Sequence, residues 1–386
     1  MGAPAYRLSG TIEGMDSLDA HSEHGSVGPR NPLQASVLSR RLLSGTGSRK
    51  QVWQVALSAS SADLGVVPGD SIGVLVPNRP GLVDAVLEAL GMHGDEGSPA
   101  PQASLREWLR SDRELSIPPA RLLRVVGGAG PSHHRTAPAD PAQGIDHLPR
   151  PDLLDILSDA VAAIGSAAAI KALRPLRPRA YSVSSAAGPA QLTVARLTAD
   201  WAGRKRVGVA SSVLCDARSD DPLRLFALPN PAFHLPADGR PLIMVAAGTG
   251  VAPFRGFIQQ LAAGAPTRRS WLMYGERTRS HDFIFEDEFR ASLAAGILSR
   301  MTTVFSRQGD PVRYVHEAIA QHGSDIDDWI RAGARVFVCG SQGVVSNVRD
   351  ALVAAIGASR GWSPLRAEAL VAQLEADGAY LADSFG

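Results

Sequence analysis

The stretch that decides the fold is LIMVAAGTGVAPFRGFIQQLA, residues 242–262. Its apolar start at 242–246 predicts a buried strand, and a helical period begins near Phe254. Between them, glycines allow the backbone to approach a diphosphate closely, and the following helix start offers free N–H groups. The stretch therefore predicts a phosphate-binding turn with Gly248, Thr249, Gly250 and Pro253 as candidate residues. On this stretch alone, a glycine turn that holds no ligand is the alternative interpretation.

Strand and helix patterns alternate over the rest of the carboxy-terminal part. Further strands are predicted at 270–274, 301–305 and 336–339, and helices at 254–262, 283–294, 312–321 and 344–356. Strands that alternate with helices over short loops are typical of a doubly wound parallel sheet. We therefore expect an α/β nucleotide-binding domain over residues 237–386.

The preceding part of the chain has shorter apolar runs and more turn residues. Its predicted strands are 51–57, 70–76, 181–183, 192–197, 207–210 and 223–227, and its predicted helices are 80–90, 105–126 and 153–176. This pattern predicts an α+β domain over 31–236, an antiparallel β-barrel with a helical insertion at about 79–176. The Gly, Pro and His-rich stretch 127–149 predicts a surface loop, and residues 1–30 a flexible extension.

Composition excludes several classes of protein. With 45% hydrophobic and 20% charged residues, the chain has the composition of a globular protein. Lys and Arg number 39 against 38 Asp and Glu, so no basic field is expected to attract nucleic acid or a membrane. The two cysteines and two histidine pairs, His21 with His24 and His133 with His134, do not form a metal-ligand pattern. No export signal or membrane-spanning run is evident, so we expect a cytoplasmic protein.

A second group of candidate residues lies around the end of the predicted insertion. In Arg179–Ser182, Arg179 can pair with a diphosphate, Tyr181 can lie against a flavin ring, and Ser182 can hydrogen-bond the flavin edge. A strand without a ligand is the alternative for these four residues alone. Downstream, a second turn suited to diphosphate comprises Gly208, Val209, Ala210, Ser211 and Ser212.

These motifs, in this order, resemble the ferredoxin-NADP reductase superfamily, in particular its diflavin reductase branch. The resemblance covers roughly residues 31–386 and includes Pro68-Gly69-Asp70 and a turn at Pro77-Asn78. It implies that the Arg179 and Gly208 motifs bind FAD and that the Gly248 turn receives the NADPH diphosphate. It also implies that Ser306 and Arg307 bind the 2′-phosphate, with Arg277 and Tyr314 at the adenosine end.

The resemblance also implies a hydride-transfer site. Ser182 would orient the flavin edge, Cys339 would lie beside the nicotinamide, and Asp383 would stabilise positive charge on that ring. Phe385 stands where these reductases usually carry a Trp and would stack on the flavin. A buried, inert thiol is the alternative for Cys339.

The chain departs from the family pattern at several points. Val312 and Arg313 do not reproduce the usual Lys, Ala246-Ala247 replaces a frequent Gly-Pro, and Ala379 replaces a frequent Arg. We also expect no flavodoxin-like FMN domain, so that the electron acceptor is a separate polypeptide.

The resemblance implies electron transfer from NADPH through FAD to a separate flavodoxin, FMN protein or hemoprotein. It favours the flavoprotein component of a sulfite reductase first and a cytochrome P450-type hemoprotein reductase second. A catalytically silent nucleotide-binding protein is the alternative from another class. Neither the physiological acceptor nor the oligomeric state is predicted from the sequence.

Overall fold

The computed structural model describes residues 28–29, 31–100, 103–127, 151–201, 203–216, 222–264 and 268–385. The described chain forms two compact units. The first comprises residues up to 73, 180–195 and 225 onward, and the second comprises 74–179 and 196–224. Most of the predicted extension, most of the predicted loop and both histidine pairs lie outside the described residues. Among the described helices, none has the length and apolar character needed to cross a bilayer.

The secondary structure consists of fourteen strands and fourteen α-helices in the described residues. The strands are β1 (Leu33–Ala35), β2 (Val37–Leu42), β3 (Val52–Ser60), β4 (Ser71–Leu75), β5 (Arg179–Ser182), β6 (Pro189–Ala195), β7 (Thr198–Trp201), β8 (Arg204–Val207), β9 (Leu223–Leu228), β10 (Leu242–Ala247), β11 (Ser270–Glu276), β12 (Arg300–Phe305), β13 (Arg335–Ser341) and β14 (Tyr380–Phe385). The helices are α1 (Ser61–Leu64), α2 (Pro80–Leu90), α3 (Leu105–Asp112), α4 (Ala120–Gly127), α5 (Leu153–Ile164), α6 (Ser166–Ala172), α7 (Val209–Cys215), α8 (Ala252–Ala263), α9 (Arg279–Asp282), α10 (Glu286–Ala294), α11 (Val315–Gln321), α12 (Gly323–Arg331), α13 (Gln342–Arg360) and α14 (Pro364–Ala376).

A five-stranded parallel sheet dominates the first unit. Its order is β12-β11-β10-β13-β14, and every neighbouring pair is parallel. Alternate residues of β10 enter different cores: Ile243 and Val245 join one cluster, whereas Met244 and Ala246 join the other. Both faces of the sheet are therefore covered, which is why its strands read as continuous apolar runs. The predicted doubly wound fold is confirmed.

The first unit also contains antiparallel structure. Strand β3 pairs antiparallel with β2 on one side and with β6 on the other. A four-stranded sheet has the order β1-β9-β4-β5. The chain passes between the two units four times: within β4, at the start of β5, after β6 and within β9. The predicted antiparallel part of the fold is thus confirmed. The expected domain boundary near residue 236 stays a prediction.

The turn before β4 is fixed by Gly69 and Asp70. Gly69 has φ +103°, and a Cβ there would lie 2.3 Å from the carbonyl oxygen of Phe233, so only glycine fits without a shift. The buried Asp70 carboxylate accepts hydrogen bonds from the Asn230 amide (2.7 Å) and from His234 Nε2 (2.6 Å). The Pro-Gly-Asp motif therefore has a structural role here.

The second unit contains helices α2–α6, which bury one apolar cluster. Helix α2 has the predicted bounds and ends at Gly91 in the left-handed region. Two of the predicted helices were too long, because 105–126 and 153–176 each contain two separate helices. The first is broken before Pro118-Pro119, and the second is broken at Gly165, which has φ +78°.

The predicted strand at 207–210 is wrong. Strand β8 ends at Val207, Gly208 precedes the helix, and α7 begins at Val209. All seven residues of α7 are buried. A helix buried on all sides has no polar face, so its sequence lacks the helical period that would have distinguished it from a strand.

Candidate functional site

The glycine turn lies at the carboxyl ends of β10 and β13. Residues Gly248–Val251 form a 3-10 turn that leads directly into α8. A Cβ on Gly250 would lie 2.2 Å from the carbonyl oxygen of Cys339, so the turn packs against β13 with no room for a side chain. Strand β11 lies on the other side of β10. The turn thus occupies the point where the strand order reverses, the place at which open α/β sheets bind ligands.

The glycine turn, rather than α8, begins the helical segment after β10. The side chain of its N-cap residue, Ala247, makes no capping hydrogen bond, whereas the Ala252 amide at the start of α8 already donates to the Thr249 carbonyl. The first N–H groups of an α-helix have no partner within the helix and carry partial positive charge. The first N–H groups of the Gly248–Val251 turn are of this kind, so the turn fits a dinucleotide diphosphate.

Cys339 and Asp383 are direct neighbours on adjacent strands. They form one register pair of β13 and β14, and Ser341 pairs with Phe385 two residues further on. Cys339 is fully buried, and burial, with a smaller effect of Asp383, raises its thiol pKa well above the ordinary value. Cys339 is therefore a neutral thiol at physiological pH and not a nucleophile. The structure brings two of the three predicted hydride-transfer residues together.

Phe385 is half-buried and packs against the apolar cluster that contains Phe254 and Cys339. The last strand thus places an aromatic ring beside the same end of the sheet as the glycine turn. The stacking of Phe385 on a flavin stays a prediction. The six-residue strand that carries Asp383 and Phe385 together was not predicted from the sequence.

The residues predicted for the 2′-phosphate lie at the ends of β11 and β12. The amide of Ser306 donates to Glu276 O and that of Arg307 donates to Arg277 O, both at 2.8 Å. Arg277 and Arg307 are thus held on neighbouring chain segments, and the Arg307 side chain is exposed. These two hydrogen bonds bring the predicted residues Arg277, Ser306 and Arg307 close together.

Arg279 and Gln308 also lie at this edge and were not predicted from the sequence. The Arg279 amide donates to Gln308 Oε1 at 3.1 Å, and the Arg279 guanidinium lies 4.9 Å from the centre of the Phe305 ring.

The predicted residue Tyr314, at the start of α11, stacks on His316 with ring centres 5.5 Å apart. The Arg313 guanidinium lies 5.3 Å from the Tyr314 ring centre, so a cation accompanies Tyr314 despite the missing Lys.

A buried charge pair supports the glycine turn and was also missed. Lys50 Nζ lies 2.5 Å and 2.6 Å from the two carboxylate oxygens of Glu276. The Tyr274 hydroxyl lies 3.2 Å from the Gly248 carbonyl and 3.3 Å from Glu276. Burial raises the pKa of Glu276, and the Lys50 ammonium opposes that effect. Lys50 is more than 200 residues from Glu276 in sequence, so no local pattern indicates this pair.

The second unit brings Arg179 together with part of the Gly208 turn. They line a small cavity of about 10 Å³ with Val209 and Ala210. Arg179 donates to the buried Glu114 carboxylate at 2.9 Å and to Arg177 O at 2.7 Å, so its guanidinium is held in place. The Asn78 Oδ1 atom is buried and has no hydrogen-bond partner in the part of the chain that the structure describes. A cavity of this volume is the size of a water molecule, so the pairing of Arg179 with the FAD diphosphate stays a prediction.

The two serines of the Gly208 turn are used within the protein. Ser211 Oγ donates to Gly208 O at 3.2 Å and accepts from the Leu197 amide at 3.1 Å. Ser212 Oγ donates to Val209 O at 2.9 Å, and both serines are buried. Their hydroxyls hold the turn, so a diphosphate would have to be bound through backbone N–H groups. Whether Gly208, Val209, Ala210, Ser211 and Ser212 bind FAD stays a prediction.

Tyr181 and Ser182 lie in the first unit, and both are half-buried on β5. The residue after Ser182, Val183, donates its amide to Asp70 O at 3.0 Å. The Pro68-Gly69-Asp70 turn therefore fixes the backbone next to Ser182.

Comparison with known proteins agrees with this fold. Residues 244–350 match the oxidoreductase NAD-binding domain family, so the parallel-sheet part is a domain of that class. The chain is 31% identical to the sulfite reductase (NADPH) flavoprotein alpha-component of Cronobacter sakazakii over 391 residues, which is 99% of this chain and 64% of the relative. The corresponding protein of Vibrio cholerae is 29% identical over 100% of this chain and 63% of the relative.

The alpha-component of Salmonella typhi is also similar, with 31% identity over 92% of this chain and 61% of the relative. The chain thus spans less than two thirds of the length of these relatives. The predicted resemblance is confirmed in that the chain is similar to the sulfite reductase flavoprotein alpha-components over this part of their length.

Proposed function

We propose that the chain is an NADPH-dependent flavoprotein reductase that passes electrons through FAD to a separate acceptor. The observation that carries the proposal is the group formed by Gly250, Cys339 and Asp383 at the switch point of the sheet. It is supported by a glycine turn that begins a helical segment at the end of β10, by a buried thiol and by an adjacent carboxylate. The names of the relatives, which are NADPH flavoproteins, support the same cofactors.

FAD, when bound, accepts a hydride from NADPH and can release the two electrons singly. Within the proposal, the Gly248–Gly250 turn and Pro253 contact the NADPH diphosphate, and Ser306 and Arg307 bind its 2′-phosphate. An exposed guanidinium suits this group because it forms a bidentate, charge-assisted pair with phosphate oxygens.

The residues at the strand ends would bind and orient the nicotinamide. Cys339, being buried and neutral, contributes contact and excludes water without adding charge. Asp383, only 9% exposed, provides the carboxylate that stabilises positive charge on the ring. Ser182 would orient the flavin edge, Arg179 would pair with its diphosphate, and Tyr181 and Phe385 would lie against its ring.

The acceptor that we favour is the hemoprotein partner of a sulfite reductase, reached directly or through a separate FMN protein. The names of the relatives support this choice. A cytochrome P450-type hemoprotein or a flavodoxin is the second choice. We place the protein in the cytoplasm, and the two buried free thiols, Cys215 and Cys339, are consistent with a reducing compartment.

The test is to purify the full chain, reconstitute it with FAD and record its visible spectrum before and after anaerobic NADPH. We expect bound flavin absorbance that is bleached by NADPH and more slowly by NADH. A chain that binds NADP⁺ but retains no FAD would instead be a silent nucleotide-binding protein. Bleaching by both nucleotides at equal rates would contradict the assignment of Ser306 and Arg307.

A further inference from the structure

Arg255, the second residue after Pro253 in α8, does not face the glycine turn as a ligand. Only 6% of it is exposed. Its Nε lies 2.6 Å from one Glu288 carboxylate oxygen and its Nη2 lies 3.2 Å from the other, so the ion pair is bidentate. Its guanidinium also lies 4.7 Å from the centre of the Phe285 ring. A buried guanidinium with this many partners is held in one orientation.

The remaining donor of Arg255 connects α8 to the chain just after Ser182. Arg255 Nη1 donates to the Ser184 carbonyl and to Gln191 Oε1, each at 2.8 Å. Ser184 is fully buried, and its amide donates to Gln191 O at 2.9 Å. The guanidinium therefore binds both sides of the turn that joins β5 to β6.

A second side chain on the same face of α8 repeats this connection. Gln259, four residues after Arg255, accepts a hydrogen bond from the Ala186 amide at 3.0 Å. Between them, Gly256 packs against Pro68, since a Cβ on Gly256 would lie 2.6 Å from Pro68 Cβ. Residues one turn apart lie on one helix face, so a single face of α8 contacts both the Pro68 turn and residues 184–186.

We propose that Arg255 is a positioning residue that fixes the strand carrying Ser182 relative to the Gly248–Gly250 turn. The proposal rests on the proposed function, because the two elements would hold the flavin edge and the nicotinamide. The glycine turn leads directly into α8. Any shift of α8 therefore moves the turn, and the bonds of Arg255 and Gln259 transmit the position of α8 to the backbone next to Ser182.

We therefore expect loss of the Arg255 bonds to slow hydride transfer without weakening dinucleotide binding. A misplacement of about 1 Å can slow a reaction by about two orders of magnitude. Loss of the Arg255 bonds leaves the glycines and the start of α8 intact, so the dinucleotide still binds. The rate of hydride transfer falls because its two partners are no longer held at a fixed separation.

The experiment compares R255Q with the unchanged protein, both as the full chain with FAD. In anaerobic stopped-flow with NADPH, we expect the limiting rate of flavin reduction to fall about tenfold or more. The dissociation constant for NADP⁺ should stay within about twofold. R255K, which keeps one charged bond to Glu288, should recover part of the rate. R290Q removes an exposed arginine paired with Glu286 and serves as the matched control, with an unchanged rate.

A second measurement does not depend on activity. Amide hydrogen exchange in the FAD-free chain should become faster at residues 184–192 in R255Q and stay unchanged in R290Q. If R255Q does not fold, Q259A removes only the bond to the Ala186 amide. It should lower the limiting rate by a smaller factor and leave NADP⁺ binding unchanged.

Two results would overturn the proposal: an unchanged limiting rate with unchanged exchange, or a weakened NADP⁺ affinity with an unchanged limiting rate. The latter would make Arg255 a dinucleotide ligand. Failure of the proposed function would look different, because the unchanged protein itself would then show no flavin reduction.

Discussion

Gly250 and Cys339 are in contact through the backbone: a Cβ on Gly250 would begin 2.2 Å from the Cys339 carbonyl oxygen. This distance is far below any that real Cβ atoms adopt, and both partners are main-chain atoms of the sheet and the turn. The contact joins the phosphate-binding turn of β10 to the strand that carries the buried thiol. A change at either position is therefore expected to affect the other.

We predict that Gly250→Ala weakens dinucleotide binding. The new methyl group must push the turn away from β13, which should lower NADP⁺ affinity about tenfold or more, measured by isothermal titration calorimetry. Gly343→Ala is the matched control, because a Cβ there meets nothing within 4 Å. It should leave affinity unchanged. Equal affinities for both variants would show that the turn adapts.

Cys339 should resist alkylation. Burial raises its thiol pKa, and Asp383 adds to that effect, so the reactive thiolate is scarce in the folded protein. We expect no labelling of Cys339 by iodoacetamide at about pH 8 over minutes and full labelling in urea, followed by mass spectrometry. Rapid labelling of the folded chain would mean that the thiol is accessible and ionised.

Arg307→Ala should raise KM for NADPH about tenfold or more while changing KM for NADH by less than about twofold. The reason is that the Arg307 guanidinium is exposed at the edge assigned to the 2′-phosphate, on a backbone fixed by the bond from the Arg307 amide to Arg277 O. Arg290→Ala, a change at another exposed arginine, should alter neither value. A similar increase for both nucleotides would place the 2′-phosphate elsewhere.

Asp70→Ala should destabilise the protein by about 2 to 4 kcal/mol, because it removes a buried acceptor and leaves three part-buried donors without a partner. Those donors are the Asn230 amide, the Val67 amide and His234 Nε2. The free energy of unfolding in urea measures the effect. Asp328→Ala, at an exposed position of α12, should change it by less than about 0.5 kcal/mol. Similar values for both variants would show that the Asp70 bonds contribute no net stability.

His322 should make stability depend on pH. Burial, and then the Arg300 guanidinium, lower its pKa, and Asp325 opposes them only in part. Below the ordinary pKa of 6.5 the unfolded chain therefore takes up a proton that the folded chain does not, and stability falls with acidification. Between about pH 7.5 and about pH 5.5, the unfolding free energy should fall less in H322Q than in the unchanged protein. The same fall in both would exclude His322 as the cause.

The sequence predicted the elements whose signals are local. Helix α2 shows a clear apolar period and a Gly91 cap, and the glycine turn follows a fully apolar strand, so both were predicted with nearly correct bounds. The strand predicted at 207–210 overlaps only the first two residues of α7, where burial of the whole helix hides the helical period. Helices α12 and α14 were not predicted at all.

The predicted site residues that lie on neighbouring strand ends, Cys339 with Asp383 and Arg277 with Arg307, are brought together by the parallel sheet. What the sequence missed are partners from distant segments. Lys50 reaches Glu276, and Arg255 reaches Ser184, only because the fold places those segments side by side. Such pairs leave no periodic signal in the sequence.

The first unit is made of three separate segments of the chain, which affects how it folds during synthesis on the ribosome. Val52 in β3 pairs with Ala195 in β6, and the parallel sheet that completes the unit begins only at Leu242. Helices α2–α6 emerge as a nearly continuous stretch and can pack on one another while the chain is still growing. The earliest strands must wait with unpaired edges until much later segments arrive, which makes them the part of the nascent chain most exposed to aggregation.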